Sequence, residues 1–270
     1  MFKRKKKSAE ATPKPKKTFS QGVLEWVKAF AFAFAVMVPL RGSLIDWFDV
    51  PSGSMEPTIV PGDRIFVNKL AYGLRVPLTK EPCLWLARWD TPDRGDVVVC
   101  YSPEEPDHIR LVKRVVAVAG DTLEIRGGKL SVNGKEAAYS PLDEEVEKQI
   151  DGGRFGIMRF ALETTEDSSH PIVRTPNDRD VLLMEQRGGV FGPQWNQPGW
   201  TLSNFGPVTV PEGKVFVMGD SRDKSRDSRF FGFVDATQVV GRSPSVVFSF
   251  LLERGPRLSV QWDRLFRSIP

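Results

Sequence analysis

An apolar run near the N-terminus separates a short polar segment from the long, mostly polar remainder of the chain. Residues 29–40 carry no charge, and extension back to Val23 gives 18 residues that include Glu25 and Lys28. A helix needs about 20 mainly apolar residues to cross a bilayer, and Lys28 can extend its amine toward the headgroups. We therefore interpret residues 21–42 as one transmembrane anchor. A cleaved signal peptide and a strand through the alternating Ala-Phe repeat are the alternatives.

The positive charge of the chain lies mainly ahead of that run. Residues 1–18 contain eight Lys or Arg and one Glu, and removing them from the totals of 38 basic and 34 acidic residues leaves 30 and 33. The rest of the chain is therefore not a basic nucleic-acid binder, although residues 1–18 alone could be a nuclear-localisation or RNA-binding patch. A basic tail before an apolar run predicts a cytoplasmic tail (residues 1–20) and an extracytoplasmic body (residues 43–270).

Gly-Asp pairs punctuate the body and bound short runs rich in Val, Ile and Phe, which indicates strands. The pairs occur at residues 62–63, 95–96, 120–121 and 219–220. Gly127-Gly128 and Asn133-Gly134 predict hairpin turns. No long stretch after the anchor shows a helical period, so we expect a mostly β body.

The pattern loosens between residues 140 and 210, where Gly-Gly pairs and a Pro/Trp-rich stretch interrupt it. So long a stretch is unusual as one structureless loop in a compact domain. We therefore predict a core formed by residues 43–139 and 211–270, with an inserted β subdomain at about 140–210.

A serine-containing segment with a proline on each side is the first candidate for a catalytic segment. Ser52 and Ser54 flank Gly53, between Pro51 and Pro57. Proline fixes the backbone and glycine relaxes it, so such a segment can hold a hydroxyl in a defined position. A serine nucleophile also needs a base within hydrogen-bond reach. An ordinary turn is the alternative.

Lysine is a better candidate base than histidine. We interpret His108 and His170, the two histidines, as surface loop residues because both lie in polar segments. Lys113 and Arg114, by contrast, interrupt an apolar run at residues 111–119. Strand residues alternate faces, so one of the two cations should point into apolar surroundings, where desolvation lowers a lysine pKa. The alternative is a solvated edge strand that exposes both.

A third segment, Gly219–Gly232, alternates acids, bases and hydroxyls. It predicts either a hydrogen-bonded polar network or a solvated charged loop. Its Ser221-x-x-Lys224 spacing matches a pattern of penicillin-binding enzymes. That pattern requires the start of a helix, so we interpret the match as chance.

Four segments taken together resemble the bacterial type I signal peptidases, or leader peptidases, a family of serine–lysine proteases. These segments are Pro51–Ile59, Gly62–Gly73, Arg94–Asp121 and Gly219–Val234. The resemblance implies that Ser54 is the nucleophile and Lys113 the general base. It further implies that Ser52 adds a side-chain donor to an oxyanion hole beside the Ser54 N–H, and that Ser225 orients Lys113. The remaining implied positions are a supporting set (Asp220, Asp227, Arg229 and Arg114, with an Asp227–Arg229 ion pair) and a substrate-binding set (Pro51, Met55, Ile59, Leu111 and Val112).

By the same resemblance, the fold is a β-rich catalytic core with an inserted β subdomain, preceded by one N-terminal transmembrane helix. The implied function is removal of signal peptides from secretory preproteins, with small residues at the first and third positions before the cut. The implied place is the inner (cytoplasmic) membrane of a bacterium, with the lipid bilayer as a partner and without nucleic acid, cofactor or metal. Some members carry two spans, whereas this sequence shows one. A self-cleaving repressor-like protease and a non-catalytic membrane-tethered β scaffold are the alternatives.

Two features have open interpretations. Cys83 and Cys100 could form a disulfide in an extracytoplasmic body, or Cys100 could be a buried thiol. Near the C-terminus, Trp262, Leu265 and Phe266 alternate with arginines that include Arg264. Such a segment could rest on an anionic bilayer surface or pack on the core.

Overall fold

One long helix begins the described part of the computed structural model, which covers residues 19–77, 84–104, 109–142, 159–174, 200–252 and 258–270. Helix α1 (Phe19–Pro39) continues into a π-helical turn (Leu40–Leu44). The stretch Val23–Leu44 is long and apolar enough to cross a membrane: an 18-residue window within it has a mean hydropathy of 1.8, and none of that window is buried. The strand alternative for the Ala-Phe repeat is therefore wrong. The basic tail, residues 1–18, lies outside the described residues.

The body is built on an eight-stranded sheet in which all pairings are antiparallel. Along it the strands follow the order β1-β2-β16-β5-β6-β14-β15, and β17 pairs with β16. The strands are β1 (Ile45–Asp49), β2 (Asp63–Asn68), β5 (Val97–Tyr101), β6 (Arg110–Val118), β14 (Lys214–Met218), β15 (Val234–Asp235), β16 (Val239–Leu252) and β17 (Leu258–Val260).

Three smaller sheets accompany the main one. Four strands pair in the order β13-β7-β8-β9, three in the order β10-β11-β12, and β3 pairs with β4. Their bounds are β3 (Gly73–Arg75), β4 (Trp85–Arg88), β7 (Thr122–Arg126), β8 (Lys129–Val132), β9 (Lys135–Glu136), β10 (Ala138–Ser140), β11 (Arg159–Thr164), β12 (Ser169–Arg174) and β13 (Phe205–Thr209). A four-residue helix α2 (Ser228–Phe231) precedes β15. The expectation of a mostly β body is confirmed.

Both predicted hairpin turns are present. Gly127 and Gly128 join β7 to β8 with φ of 55° and 79°, and Asn133 and Gly134 join β8 to β9 with φ of 53° and 78°. Positive φ at both central positions matches the right-handed twist of the flanking strands and favours Asn and Gly. The strands that these turns join follow β6, the strand that carries Lys113, in the chain.

The predicted insertion at about 140–210 includes β11, β12 and β13, while residues 143–158 and 175–199 lie outside the described residues. Strand β13 pairs with β7, which the sequence assigned to the core. At the end of β12, the Val173 N–H donates to the Asp220 carbonyl (3.0 Å) and the Arg222 N–H donates to the Val173 carbonyl (3.1 Å). The boundaries of the insertion remain a prediction.

Buried apolar residues lie on both sides of β6. One cluster includes Val50, Met55 and Val112, and another includes Cys100 and Val115. Lys113 and Arg114 lie between Val112 and Val115 in β6. The apolar clusters therefore limit the access of water to the two cations. Cys83, the second residue of the possible disulfide, lies outside the described residues.

Candidate active site

The Ser54 hydroxyl is carried by a short 3-10 turn, Gly53–Met55, between β1 and β2. Met55 is buried in the core cluster beneath the turn, whereas Ser54 is half-buried. On the N-terminal side, the Val50 N–H donates to the Asp63 carbonyl (2.9 Å). A buried residue directly after Ser54 and a pinned backbone before it leave the hydroxyl little freedom.

Strand β6 brings Lys113 to that hydroxyl. The strand is paired on both edges here: Lys113 lies opposite Val98 of β5, and Arg114 lies opposite Met218 of β14. The Lys113 Nζ donates to Ser54 Oγ at 2.7 Å and to the Val112 carbonyl at 3.0 Å. Two residues that the sequence singled out separately therefore contact each other.

The Lys113 ammonium is in an environment that disfavours its charge. The residue is 3% exposed, and burial lowers the pKa of its amine below the usual 10.5, while the charges of Asp227 and Asp220 act in the opposite direction. A neutral amine keeps a lone pair that can accept a proton from a hydroxyl. The buried position thus supplies the chemistry that a general base needs.

Arg114 is buried as well, at 1% exposure. Its Nε and Nη2 donate to Asp220 Oδ1 and Oδ2 at 2.9 and 2.8 Å. We expected one of the two neighbouring cations to be buried, and the structure buries both. Because successive strand residues point to opposite faces, the sheet must be covered on both faces at this point.

Asp220 joins this ion pair to the serine segment. Thr58 Oγ1 donates to Asp220 Oδ2 at 2.5 Å. Burial alone raises the pKa of Asp220, but the charge and hydrogen bonds of Arg114 outweigh it and lower the pKa to about 2. Asp220 is therefore ionised at neutral pH. A buried, bidentate pair of this kind fixes position more than it adds stability.

A second buried ion pair lies in the same segment. Arg229 donates from Nε and Nη2 to the two Asp227 oxygens at 2.9 and 2.8 Å. Asp227 also accepts from the Gly219 N–H at 3.0 Å and caps helix α2. Burial acts to raise the pKa of Asp227, and Arg229 reverses this and lowers it. The segment is thus a buried polar network and not a solvated loop.

The network contacts the backbone of Ser54 directly. The Ser221 N–H donates to the Ser54 carbonyl at 3.1 Å. A Cβ atom at Gly219 would overlap both that carbonyl and the Ser225 side chain, so only glycine fits there without a shift. Ser221 itself is buried and Lys224 is exposed, which agrees with the interpretation of their spacing as chance.

Two further sequence-predicted residues lie near the pair without the expected bonds. Ser225 is buried and makes no hydrogen bond to Lys113; it lies close enough to Asp227 to help lower the pKa of that carboxyl. Lys113 donates instead to Ser54 and Val112. Ser52 is exposed, in an extended conformation, and its side chain makes no capping hydrogen bond. The orienting role of Ser225 and the oxyanion role of Ser52 remain predictions.

The predicted substrate-binding set divides by burial. Pro51 is exposed and Leu111 is half-buried, so both have surface to offer a peptide. Met55, Ile59 and Val112 are core residues of one cluster. Their side chains are buried in this structure, and their place in a substrate cleft remains a prediction.

His170 is the main functional-site residue that the sequence misplaced. It is 1% exposed and lies in β12, with Nε2 at 3.6 Å from Glu163 Oε1 and 3.8 Å from Asp220 Oδ1. Arg222 donates to both Glu163 oxygens at 2.6 Å. Burial first, and then the charge of Arg114, lower the pKa of His170 to about 4. The interpretation as a surface loop residue was wrong; His108 lies outside the described residues.

The C-terminal segment gives a mixed result. Trp262 and Phe266 are 74% and 72% exposed, so neither packs on the core. Arg264, between them, is buried and donates to both Asp63 oxygens, at 2.9 and 2.5 Å. That arginine therefore anchors the segment and does not face an interface.

Comparison with known proteins identifies the family. The family model described as "Signal peptidase, peptidase S26" matches residues 23–248. The signal peptidase I of Pseudomonas aeruginosa is 32% identical over 239 residues, which cover 84% of this chain and 73% of the relative. That of Aquifex aeolicus is 31% identical over 240 residues, which cover 83% of each chain. A solved signal peptidase I structure from Enterococcus faecalis is 27% identical and covers 57% of this chain and 97% of its own, with a TM-score of 0.30.

The matched range includes both Ser54 and Lys113 and extends over most of the chain. The chain therefore belongs to the signal peptidase family, peptidase S26, and is a serine peptidase. The resemblance on which the expectations rested is confirmed at the level of the family.

Proposed function

We propose that this protein is a membrane-bound endopeptidase that removes signal peptides from secretory preproteins through a Ser54–Lys113 dyad. The observation that carries the proposal is the 2.7 Å contact between the buried Lys113 amine and the Ser54 hydroxyl. The signal peptidase family supplies the reaction class, and the contact supplies a nucleophile with its base.

In the acylation step, neutral Lys113 accepts the Ser54 proton as Oγ attacks the scissile carbonyl carbon. The C–O bond forms, and the carbonyl oxygen becomes an oxyanion. Lys113 then gives its proton to the leaving amine as the C–N bond breaks, which leaves the signal peptide as an ester on Ser54. The ester is the acyl-enzyme, and the mature protein departs with its new N-terminus.

Deacylation repeats the sequence with water. Lys113 accepts a proton from water as the oxygen attacks the ester, and returns it to Ser54 Oγ as the ester bond breaks. The Ser54 N–H and the Ser52 hydroxyl would donate to the oxyanion in both steps. Preorganised donors of this kind stabilise charge that develops only in the transition state.

The proposed substrate is an extended peptide with small residues at the first and third positions before the cut. Pro51, three residues before Ser54, and Leu111, two residues before Lys113, both retain surface, which supports a shallow cleft there. The buried Met55, Ile59 and Val112 would support that cleft from beneath.

The proposed location is a bacterial inner membrane, with a single span, a cytoplasmic N-terminus and an extracytoplasmic body. A helix of sufficient length and apolarity supports the span, and the eight basic residues that precede it support the orientation. Protease added outside sealed spheroplasts should digest the body and spare residues 1–18. Digestion of the tail alone would indicate the opposite orientation in the membrane.

The direct test is cleavage of a preprotein by the purified full-length protein, with the cut site determined by mass spectrometry. We expect one cut after a small residue, with a second small residue two positions earlier, and no cut by Ser54→Ala. Cleavage confined to the protein's own chain would indicate a self-cleaving protease. The absence of any cleavage together with normal folding would favour the scaffold alternative.

A further inference from the structure

A groove of ≈ 590 Å³ opens where helix α1 reaches the body. Its lining combines apolar residues of α1 with four cations, one of which lies in the turn that continues α1. The apolar residues are Phe34, Met37 and Val38, and the cations are Arg41, Lys69, Arg75 and Arg110. The proposed catalytic mechanism uses none of these residues.

Three of the cations share one carboxylate. Asp46 lies 3.2 Å from Arg41, 3.0 Å from Lys69 and 4.0 Å from Arg110. Among the residues that the structure describes, it is the acid that pairs with these three cations, so the cluster has an excess of two positive charges. Burial lowers the pKa of Lys69, and Asp46 acts in the opposite direction.

The positions of the two arginines suit a ligand that enters from outside. The Arg41 and Arg110 side chains are 48% and 41% exposed. Arg41 stacks on Trp47 at 4.6 Å, and Arg110 lies over Tyr101 at 5.9 Å. Both guanidinium groups are therefore supported on one face and keep donors available. An arginine fork fits a phosphate in a bidentate manner.

The level of the groove relative to a bilayer limits the kinds of ligand that can reach it. The span of Val23–Leu44 ends at Arg41 and its neighbours, so the cations lie at the level of the headgroups if α1 crosses a bilayer. A soluble anion has no apolar part that could pack against Phe34 and Val38. The N-terminal region of a signal peptide is positively charged, so the charge of the groove would repel it.

We propose that this groove binds an anionic phospholipid, with its phosphate between Arg41 and Arg110 and an acyl chain along Phe34 and Val38. The proposal rests on the membrane location of the proposed function, but not on the catalytic mechanism. A bound lipid would connect the end of α1 to the start of β6, three residues before Lys113. It would thereby fix the height of the body above the bilayer.

The neighbouring hairpin presents a surface that agrees with this placement. The Ser43 hydroxyl donates to the Arg75 carbonyl at 2.7 Å, which ties the exit of α1 to β3. On the paired strand and its flanks, Leu84, Leu86 and Trp89 are exposed. Apolar side chains next to a cationic groove suit the boundary between headgroups and acyl chains.

The test is native mass spectrometry of the full-length protein in detergent, titrated with phosphatidylglycerol or with phosphatidylcholine. We expect one phosphatidylglycerol to be retained in preference to phosphatidylcholine. An interfacial cation contributes about a fivefold change in affinity, so Arg41→Gln with Arg110→Gln should weaken retention roughly 25-fold. The matched control, Arg126→Gln with Lys129→Gln, removes the same charge from an exposed hairpin far from α1 and should change nothing.

Two further arms distinguish the alternatives. Arg41→Lys with Arg110→Lys keeps the charge but loses the bidentate fork, so its retention of phosphatidylglycerol should lie between that of the unmodified protein and that of the glutamine variant. Inorganic phosphate at millimolar concentration should not displace the lipid, because it lacks the acyl chain. Retention in the unmodified protein should also fall as ionic strength rises, since partly exposed charges are screened.

Equal retention of both lipids, equal loss in the groove and control variants, or displacement by phosphate would overturn the proposal. A raised KM for preprotein in the groove variant, with unchanged lipid retention, would assign the groove to the substrate and overturn it too. Ser54→Ala should retain the lipid as well as the unmodified protein does. Failure of the catalytic proposal and failure of the lipid proposal are therefore separable.

Discussion

The Nζ atom of Lys113 lies 2.7 Å from the Oγ atom of Ser54, although 59 positions separate the two residues in sequence. Neither residue could hold this geometry alone. Core packing of Met55 fixes the turn beneath the serine, and paired strands on both edges fix the lysine. The hydrogen bond from the Ser221 N–H to the Ser54 carbonyl adds a third constraint. The pair is thus set by three segments that are distant in sequence.

Ser54→Ala and Lys113→Ala should each abolish preprotein cleavage. Nucleophile and base act as one unit, so either loss removes the covalent route and costs on the order of 10⁴-fold or more in kcat. Lys113→Arg should fail equally, because arginine is not deprotonated in proteins. The measurement is single-turnover cleavage, with circular dichroism as the check on folding. Turnover near that of the unmodified protein in any of these variants would exclude the dyad.

The pH dependence of kcat/KM should report the Lys113 amine. Burial lowers its pKa below 10.5, and only the neutral amine can accept the Ser54 proton. The rate should therefore rise with pH through a midpoint that lies below 10.5. The rising limb of kcat/KM gives the pKa in the free enzyme. A midpoint at or above 10.5 would show that the amine is not desolvated.

Ser52→Ala should slow the reaction without ending it. One oxyanion donor contributes about 10²–10³ in kcat, and the Ser54 N–H would remain. Ser52→Thr keeps a hydroxyl and is the matched control. The useful measurement is kcat and KM separately, because a transition-state donor affects kcat. If Ser52→Ala is as inactive as Ser54→Ala, Ser52 has a different role.

Gly219→Ala should impair catalysis more than folding. Its new Cβ would overlap the Ser54 carbonyl and the Ser225 side chain, so the serine segment must shift. A displacement of about 1 Å at reacting groups can cost roughly 10²-fold in rate. Gly213→Ala is the control for backbone strain without a clash, because its φ of 72° disfavours alanine but nothing lies within 4 Å of its Cβ position; it should lower stability and leave the rate of cleavage by the folded protein unchanged. Equal activity of the two variants would show that the Gly219 contact is relaxed at little cost.

Local patterns in the sequence predicted the elements and the chemistry of single positions. The alternation of residues 111–119 indicated a strand with an inward cation, and the turn dipeptides located two hairpins. Those signals are short-range, and each depends on a few adjacent residues. The pairing of Ser54 with Lys113 came instead from the resemblance to signal peptidases.

Long-range packing accounts for what the sequence did not predict. His170 lies in a polar stretch, so the sequence predicted an exposed side chain. It is buried because Glu163 and Asp220, which come from two other segments, lie next to it. The cleft role of Ile59 came from the resemblance to signal peptidases, and the sequence alone did not show that its side chain packs in the core. Recognition of residues 169–174 as a strand would have placed His170 on the same face as Ile172, because strand residues two apart share a face.

The last prediction concerns acid stability. His170 is buried among Glu163, Asp220, Arg114 and Arg222, and its pKa is lowered to about 4. The unfolded chain would bind that proton near pH 6.5, so between those values the unfolded state carries more protons than the folded state. Stability should therefore fall as pH falls from about 6.5 to 4. This contribution amounts to about 3 kcal/mol when complete.

The measurement is the free energy of unfolding of the full-length protein in detergent, from guanidinium titrations between pH 7 and 4. His170→Gln removes the titrating group and should flatten the slope in that window. Asp220, with a pKa of about 2, loses its contribution as pH falls from about 4 toward 2, so the two effects do not overlap. If His170→Gln keeps the full slope, another group carries the acid sensitivity, and the histidine is not the neutral buried residue described above.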